Sequence, residues 1–280
     1  MRSGGVARMR RRGVDLPTLG LLAGMYGLLV GNALLYAAAP LPLPVHVLIS
    51  AVAIHLAFTI WHEAAHRNLA RSPAVNDLLG VLGMLPYMTP YFLQKYVHLQ
   101  HHARLNEPGD PNRLYAEGSF LTLPLRYARV LSYAKRVLDR DPRKPLERRL
   151  DAAWLVALGG IFATAALLGW LRPLVLLWVL PLAIAKVVMD WYINWAPHVG
   201  LPPDRWRGTR VLDIPWLTPL VLAHNYHAIH HLWPSLPWHR YPAVFREKEV
   251  RLRERGVPIA RRLSGAFRRA ASGEGVALPG

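Results

Sequence analysis

The 280-residue chain is 52% hydrophobic and carries 34 Lys plus Arg against 17 Asp plus Glu, a formal net charge of +17. Length alone allows one or two globular domains, but the apolar residues gather into long, nearly charge-free runs that exclude an ordinary soluble fold. Cysteine is absent, which excludes disulfides and iron–sulfur ligation within the chain and fits a reducing compartment.

In chain order, Arg2, Arg8, Arg10, Arg11 and Arg12 precede a first apolar run, 16–39. That run exceeds the roughly 7–15 residues of a signal-peptide core, so it reads as a membrane span although Ala37-Ala38-Ala39 resembles a cleavage site. A second run, 41–60, follows the Pro40–Pro44 region and pairs with it as a helical hairpin. Runs 152–170 and 174–193, joined at Leu171-Arg172-Pro173, predict a second hairpin. Segments 78–93 and 211–223 are apolar but broken by Pro86, Pro90, Pro215 and Pro219, and read as interfacial or re-entrant. Because the hairpin turns contain only Arg172 while cations crowd the other ends, both termini are expected in the cytoplasm, with the cell membrane as the bilayer. The segments 61–151 and 194–245 then form a cytoplasmic cap and 246–280 a basic tail. Lipid and an acidic partner account for these cations, so nucleic acid is not expected.

Nine of the 13 histidines lie where apolar runs give way to polar sequence. They are His62-x-x-x-His66, His98-x-x-His101-His102, His227-x-x-His230-His231 and the isolated His198. Residues at i, i+3 and i+4 share one helix face, so each cluster aims its imidazoles at one point. Nine ligands exceed the three or four that one zinc needs and suggest two metals, and nitrogen donors without thiolate suit iron, copper, nickel or zinc. His62-Glu63-Ala64-Ala65-His66 also satisfies the H-E-x-x-H zinc-protease signature. A protease leaves the two H-x-x-H-H clusters unexplained, and a metal transporter predicts sites within the spans, so both are minor alternatives. Lys186 and Asp190, four apart in the last run, predict a helical ion pair. Trp191, Trp195, Trp206, Trp216, Trp233 and Trp238 predict an aromatic belt at the inner boundary.

The boxes and their flanks, His98-Leu99-Gln100-His101-His102-Ala103 through Asn106, Pro108 and Asp110-Pro111, and Asn225-Tyr226-His227 through His230-His231-Leu232-Trp233-Pro234-Ser235-Leu236-Pro237-Trp238, resemble the membrane fatty-acid desaturase and hydroxylase superfamily. The resemblance covers most of 55–242 and is nearest to desaturase-type β-carotene hydroxylases. Asn194-x-x-x-His198, similar to an element of acyl desaturases, and Glu63, where relatives often carry Asp, keep acyl substrates open.

The resemblance implies a single all-α integral membrane domain over 1–280, with four transmembrane helices and a cytoplasmic helical cap holding a di-iron site. It implies His62, His66, His98, His101, His102, His198, His227, His230 and His231 as ligands of two ferrous ions, with O2 as co-substrate. Asn194 reads as a ligand through water, His224 as a tenth ligand or a supporting donor, and Glu63, Asn106, Asp110 and Asn225 as groups that orient the imidazoles. His46, His55 and His239 are not assigned to metal. The implied reaction is O2-dependent oxidation of a lipid-soluble substrate, first β-carotene ring 3-hydroxylation to zeaxanthin-type products and second fatty-acyl desaturation or hydroxylation. Electrons are expected from ferredoxin and its reductase, because the chain offers no redox carrier of its own.

Overall fold

A computed structural model describes residues 13–38, 41–123, 125–126 and 141–264. The N-terminal arginines up to Arg12 and the last part of the basic tail lie outside the described residues. Among the described residues, four helices are long and apolar enough to cross a membrane. The first, α1 (Leu16–Ala38), starts beside Asp15, whose carboxylate accepts from the backbone N–H and hydroxyl of Thr18 and so caps the first turn. The second, α2 (Leu43–Ala65), has Pro44 in its first turn, where the missing N–H costs nothing. Inside this hairpin Asn32 of α1 donates to the His46 carbonyl and the Ser50 hydroxyl, each at 2.8 Å, and its own oxygen meets His46 Nδ1 at 2.7 Å. A buried polar knot therefore pins the two helices together.

Helix α2 is the most buried span and the axis of the core. The short helix α3 (Pro73–Met84) crosses it closely. A Cβ on Gly83 would sit 2.5 Å from Ile60 Cγ2 and 3.1 Å from the Trp61 backbone nitrogen, so only glycine permits that approach. A turn at Leu85–Tyr87, with Met88 at φ +54°, leads into α4 (Tyr91–Ala103). The one-turn α5 (Arg113–Ala116) follows. The second hairpin is α6 (Pro145–Leu167) and α7 (Leu171–Trp195). Asp151 of α6 accepts from the backbone N–H groups of Phe92 and Leu93 at 3.1 and 2.8 Å, so the third span caps the N-terminus of α4. Arg143 pairs with the same carboxylate.

The spans differ at their ends from the apolar runs. Helix α2 continues past residue 60 to Ala65, because the protein core, rather than the bilayer, receives Trp61, His62 and Glu63. Helix α6 begins at Pro145 rather than 152, since the polar lead-in Leu146-Glu147-Arg148-Arg149-Leu150 is itself helix-forming. The segment read as 78–93 resolves into α3, the 85–87 turn and the start of α4.

After α7 the chain forms a two-residue parallel pairing between β1 (Val211–Leu212) and β2 (Ile259–Ala260). Between these strands lie α8 (Leu217–Leu220), α9 (His227–Leu232) and α10 (Tyr241–Glu254). Helices α9 and α10 close a second, smaller core around Tyr226, Ile229 and Phe245, while Leu217 of α8 packs into the main core.

Candidate metal centre

The nine clustered histidines come from four elements. His62 lies in the last turn of α2 and His66 just beyond its end. His98, His101 and His102 share one face of α4, and His227, His230 and His231 form α9. His198 follows Asp190–Trp195, a wide π-helical turn at the end of α7 that resets the phase of the chain.

The structure brings these side chains together in two groups of four, His62, His66, His98 and His230, and His101, His198, His227 and His231; His102 forms a third group with His230 and His231. In the first group Nε2 of His66 is 2.7 Å from that of His98, and Nε2 of His62 is 3.1 Å from that of His230. In the second, Nε2 of His227 lies 2.9 Å from that of His198 and 3.0 Å from that of His231. His230 Nε2 is also 2.8 Å from His102 Nε2, which links the groups.

The outward nitrogens decide what this geometry means. His101 Nδ1 lies 2.9 Å from both Asp110 oxygens, so it carries the proton and its Nε2 presents a lone pair inward. Tyr241 donates to Glu63 at 3.4 Å and its oxygen accepts from His230 Nδ1 at 3.0 Å, which gives His230 the same tautomer. The Nε2 atom of His230 then faces those of His62 and His102 with a lone pair. Burial, reinforced by the neighbouring imidazoles, pushes His66, His98, His102, His198, His227, His230 and His231 well below the usual histidine range, so these rings are neutral. His230 thus brings a lone pair to within 3.1 and 2.8 Å of two further imidazole nitrogens, an approach that a cation shared between them would stabilise. Imidazole nitrogens about 2.1 Å from one ion and at right angles are about 3 Å apart, so the donor spacing fits a shared metal ion.

The other candidate residues surround this convergence. Asp110 also accepts from the backbone N–H groups of Asn106 and Asn112, each at 2.8 Å, which fixes the carboxylate behind His101. Glu63 is fully buried and accepts from the Trp238 N–H, while its Oε1 lies 3.6 Å from His62 Nδ1. It stands behind the His62 ring, on the side away from Nε2. Asn106 turns its amide to the carbonyls of Pro202 and Gly208, and Asn225 donates to the Leu212 carbonyl and the Thr218 hydroxyl. These two asparagines hold the loops that carry the boxes. His224 Nε2 meets the Thr59 hydroxyl at 3.0 Å, and burial pushes its pKa down to about 3. His46, His55 and His239 find partners in Asn32, the Leu220 carbonyl and Asp15.

Asn194 donates to Asp190 and accepts from Asn112, and Lys186 pairs with the same Asp190 at 2.8 Å. Asn194, Asn112 and Lys186 line a cavity of about 210 Å³ that also touches His98, Phe58 and Met84. Sequence reasoning missed Tyr241 and Thr59, which support His230 and His224 from other elements; no local spacing connects them to the boxes.

The sequence profile of the family described as "Fatty acid desaturase" matches residues 38–262. The dihydrorhizobitoxine desaturase of Bradyrhizobium elkanii is 25% identical over 252 residues, which cover 77% of this chain and 70% of that protein. The chloroplastic omega-6 fatty acid desaturase of Arabidopsis thaliana is 27% identical, covering 64% of this chain and 47% of the relative. The sn-1 acyl-lipid omega-3 desaturase (ferredoxin) of a Nostoc strain is 23% identical, covering 65% and 48%. The chain thus spans about half the length of the plant and cyanobacterial relatives. With the match extending over the histidine boxes and all but the first of the four apolar helices, the chain belongs to the fatty acid desaturase family, a family of oxidoreductases.

Proposed function

We propose that this protein is a membrane-bound desaturase that introduces a double bond into an acyl chain of a lipid, using O2 and an external electron donor. The observation that carries the reading is the convergence of inward-facing imidazole nitrogens beside an apolar cavity at the ends of membrane-length helices. The ligands are His62, His66, His98, His101, His102, His198, His227, His230 and His231, in two sets. Two bound iron ions supply the O2-activating redox chemistry.

The reaction balances when two hydrogens leave adjacent carbons. O2 accepts four electrons, two from the substrate and two from the donor, and with two further protons becomes two waters. The chain's residues supply orientation and exclusion of water. Asp110 and Tyr241 hold the His101 and His230 rings in the tautomer that binds metal. Phe58, Trp61 and Met84 provide the apolar wall that keeps a chain beside His98. The Lys186–Asp190 pair keeps a charge in that wall neutralised. Ferredoxin and its reductase are the proposed donors, in line with the name of the Nostoc relative. The histidine side faces the cytoplasm.

Acyl desaturation stands first, ahead of the carotenoid reaction that the box flanks suggest, because the relatives named above are desaturases and two are named for acyl substrates. Carotenoid ring hydroxylation stands second, on the flanks of the second and third boxes. The test is expression with ferredoxin and its reductase in a host that makes β-carotene, followed by mass spectrometry of membrane acyl chains and pigments. A new unsaturated acyl chain, absent with His230→Ala, is expected. New hydroxylated pigment with unchanged acyl chains would give the second reading its place.

A further inference from the structure

A second cavity, of about 500 Å³, lies between α3 and α6 and is lined by Leu78, Val81, Leu150 and Trp154. Its lining is mostly apolar, and two of the carboxylates on its wall are already engaged, Asp77 with Lys95 and Asp151 with Arg143. Leu78, Leu146 and Leu150 on its lining are 58%, 66% and 48% exposed, so the cavity has a greasy rim. Leu146 and Leu150 belong to the first turns of α6, at the polar end of a membrane-length helix, and Leu78 to α3 beside it, so the rim opens where that helix enters the bilayer.

The two cavities share Met84 and Thr89 in their linings. The partition between them is a single turn. It is held to α7 at two points, with Trp178 Nε1 donating to the Pro86 carbonyl at 2.8 Å and the Tyr87 hydroxyl directed to Met189 Sδ at 3.1 Å. Thr89 folds back on the Tyr87 carbonyl at 3.0 Å. The backbone of the partition is therefore fixed, and its movable part is the Met84 side chain, unbranched and adaptable. The cavity beside His98 is smaller than the roughly 300–1,000 Å³ typical of ligand sites, whereas its neighbour falls within that range.

We propose that the α3–α6 cavity is a lipid-binding site: it takes an acyl chain from the bilayer and leads it, between Met84 and Thr89, to the cavity beside His98. The proposal rests on the acyl-lipid reading above and adds the route and the residues that gate it.

The full chain, purified with its metal into phospholipid nanodiscs, is irradiated with a phosphatidylcholine carrying a mid-chain diazirine. Labelled peptides are mapped by mass spectrometry. Labelling is expected on the cavity-lining residues of α3 and α6, including Val81 and Trp154. Val81→Trp, which fills the cavity, is expected to reduce that labelling and the rate of lipid desaturation at least about 10-fold, with iron content unchanged. Met84→Ala, which thins the partition, is expected to extend labelling to residues around His98. Ala74→Phe repeats the block from another lining position should Val81→Trp lose its metal. Labelling confined to the outward residues Leu155 and Val156, or unchanged in both blocked variants, overturns the proposal. Cavity labelling in a parent chain that desaturates no lipid keeps the binding site and rejects the acyl-desaturase reading. Desaturation that persists at parental rate in both blocked variants keeps that reading and rejects the route.

Discussion

Helix α2 carries two buried histidines in opposite settings. His46 meets an asparagine that satisfies its ring nitrogen, in a knot that also takes up Ser50. His62, four turns further on, presents Nε2 to the Nε2 of another imidazole at 3.1 Å. The difference teaches how to tell a structural histidine from a ligand in a buried helix. A ring whose polar atoms end on complementary protein groups is complete, whereas a ring whose inward nitrogen meets only other imidazoles is placed to bind a cation.

The largest effect expected from breaking this contrast is at His62. His62→Ala should lower product formation at least about 100-fold while the protein still inserts and purifies, as an in vivo lipid assay with a membrane-fraction blot would report. Next comes Asp110→Asn, which leaves every ligand in place but weakens the hold on His101. Iron affinity should drop about 10–100-fold, measured by competition with a chelator. Asn32→Leu attacks the other region. It strands the buried His46 ring nitrogen and should cost about 1–3 kcal/mol of stability, with iron content unaltered. Thermal unfolding followed alongside metal analysis separates the two outcomes.

The smallest effect is a pH dependence at His224. Its folded pKa of about 3 lies below the ordinary value of 6.5, so below 6.5 the unfolded chain binds the proton more readily and stability is lost as pH falls towards 3. From this group alone the loss is under about 1 kcal/mol at pH 6 and about 2 kcal/mol at pH 5. Thermal midpoints of the parent and His224→Leu should converge on acidification; a constant gap contradicts the assignment.

Much of this layout was legible in the chain. Apolar runs located the four long helices because bilayer-length hydrophobicity is a local property. Histidine spacing located three faces because a helix puts i, i+3 and i+4 together. The ion pair of Lys186 and Asp190 followed from the same rule and is found at 2.8 Å. What the spacing could not give was which imidazoles from different helices share a point, since His230 meets His62 and His102 only through tertiary packing. Tyr241 was invisible for the same reason: its link to His230 depends on how α10 packs against α9. Helix ends shifted where polar residues found partners inside the protein, so that Glu63 continues α2 instead of ending it.

Whether the histidine cluster holds two irons is decided by the metal content of the purified full chain, by mass spectrometry and Mössbauer spectroscopy after growth on labelled iron. About two irons per chain are expected, with an iron-nitrogen signature without sulfur ligation, loss of at least one iron in His62→Ala, and no change in Asn32→Leu. A single zinc in the parent, or equal iron in His62→Ala and the parent, would contradict that assignment.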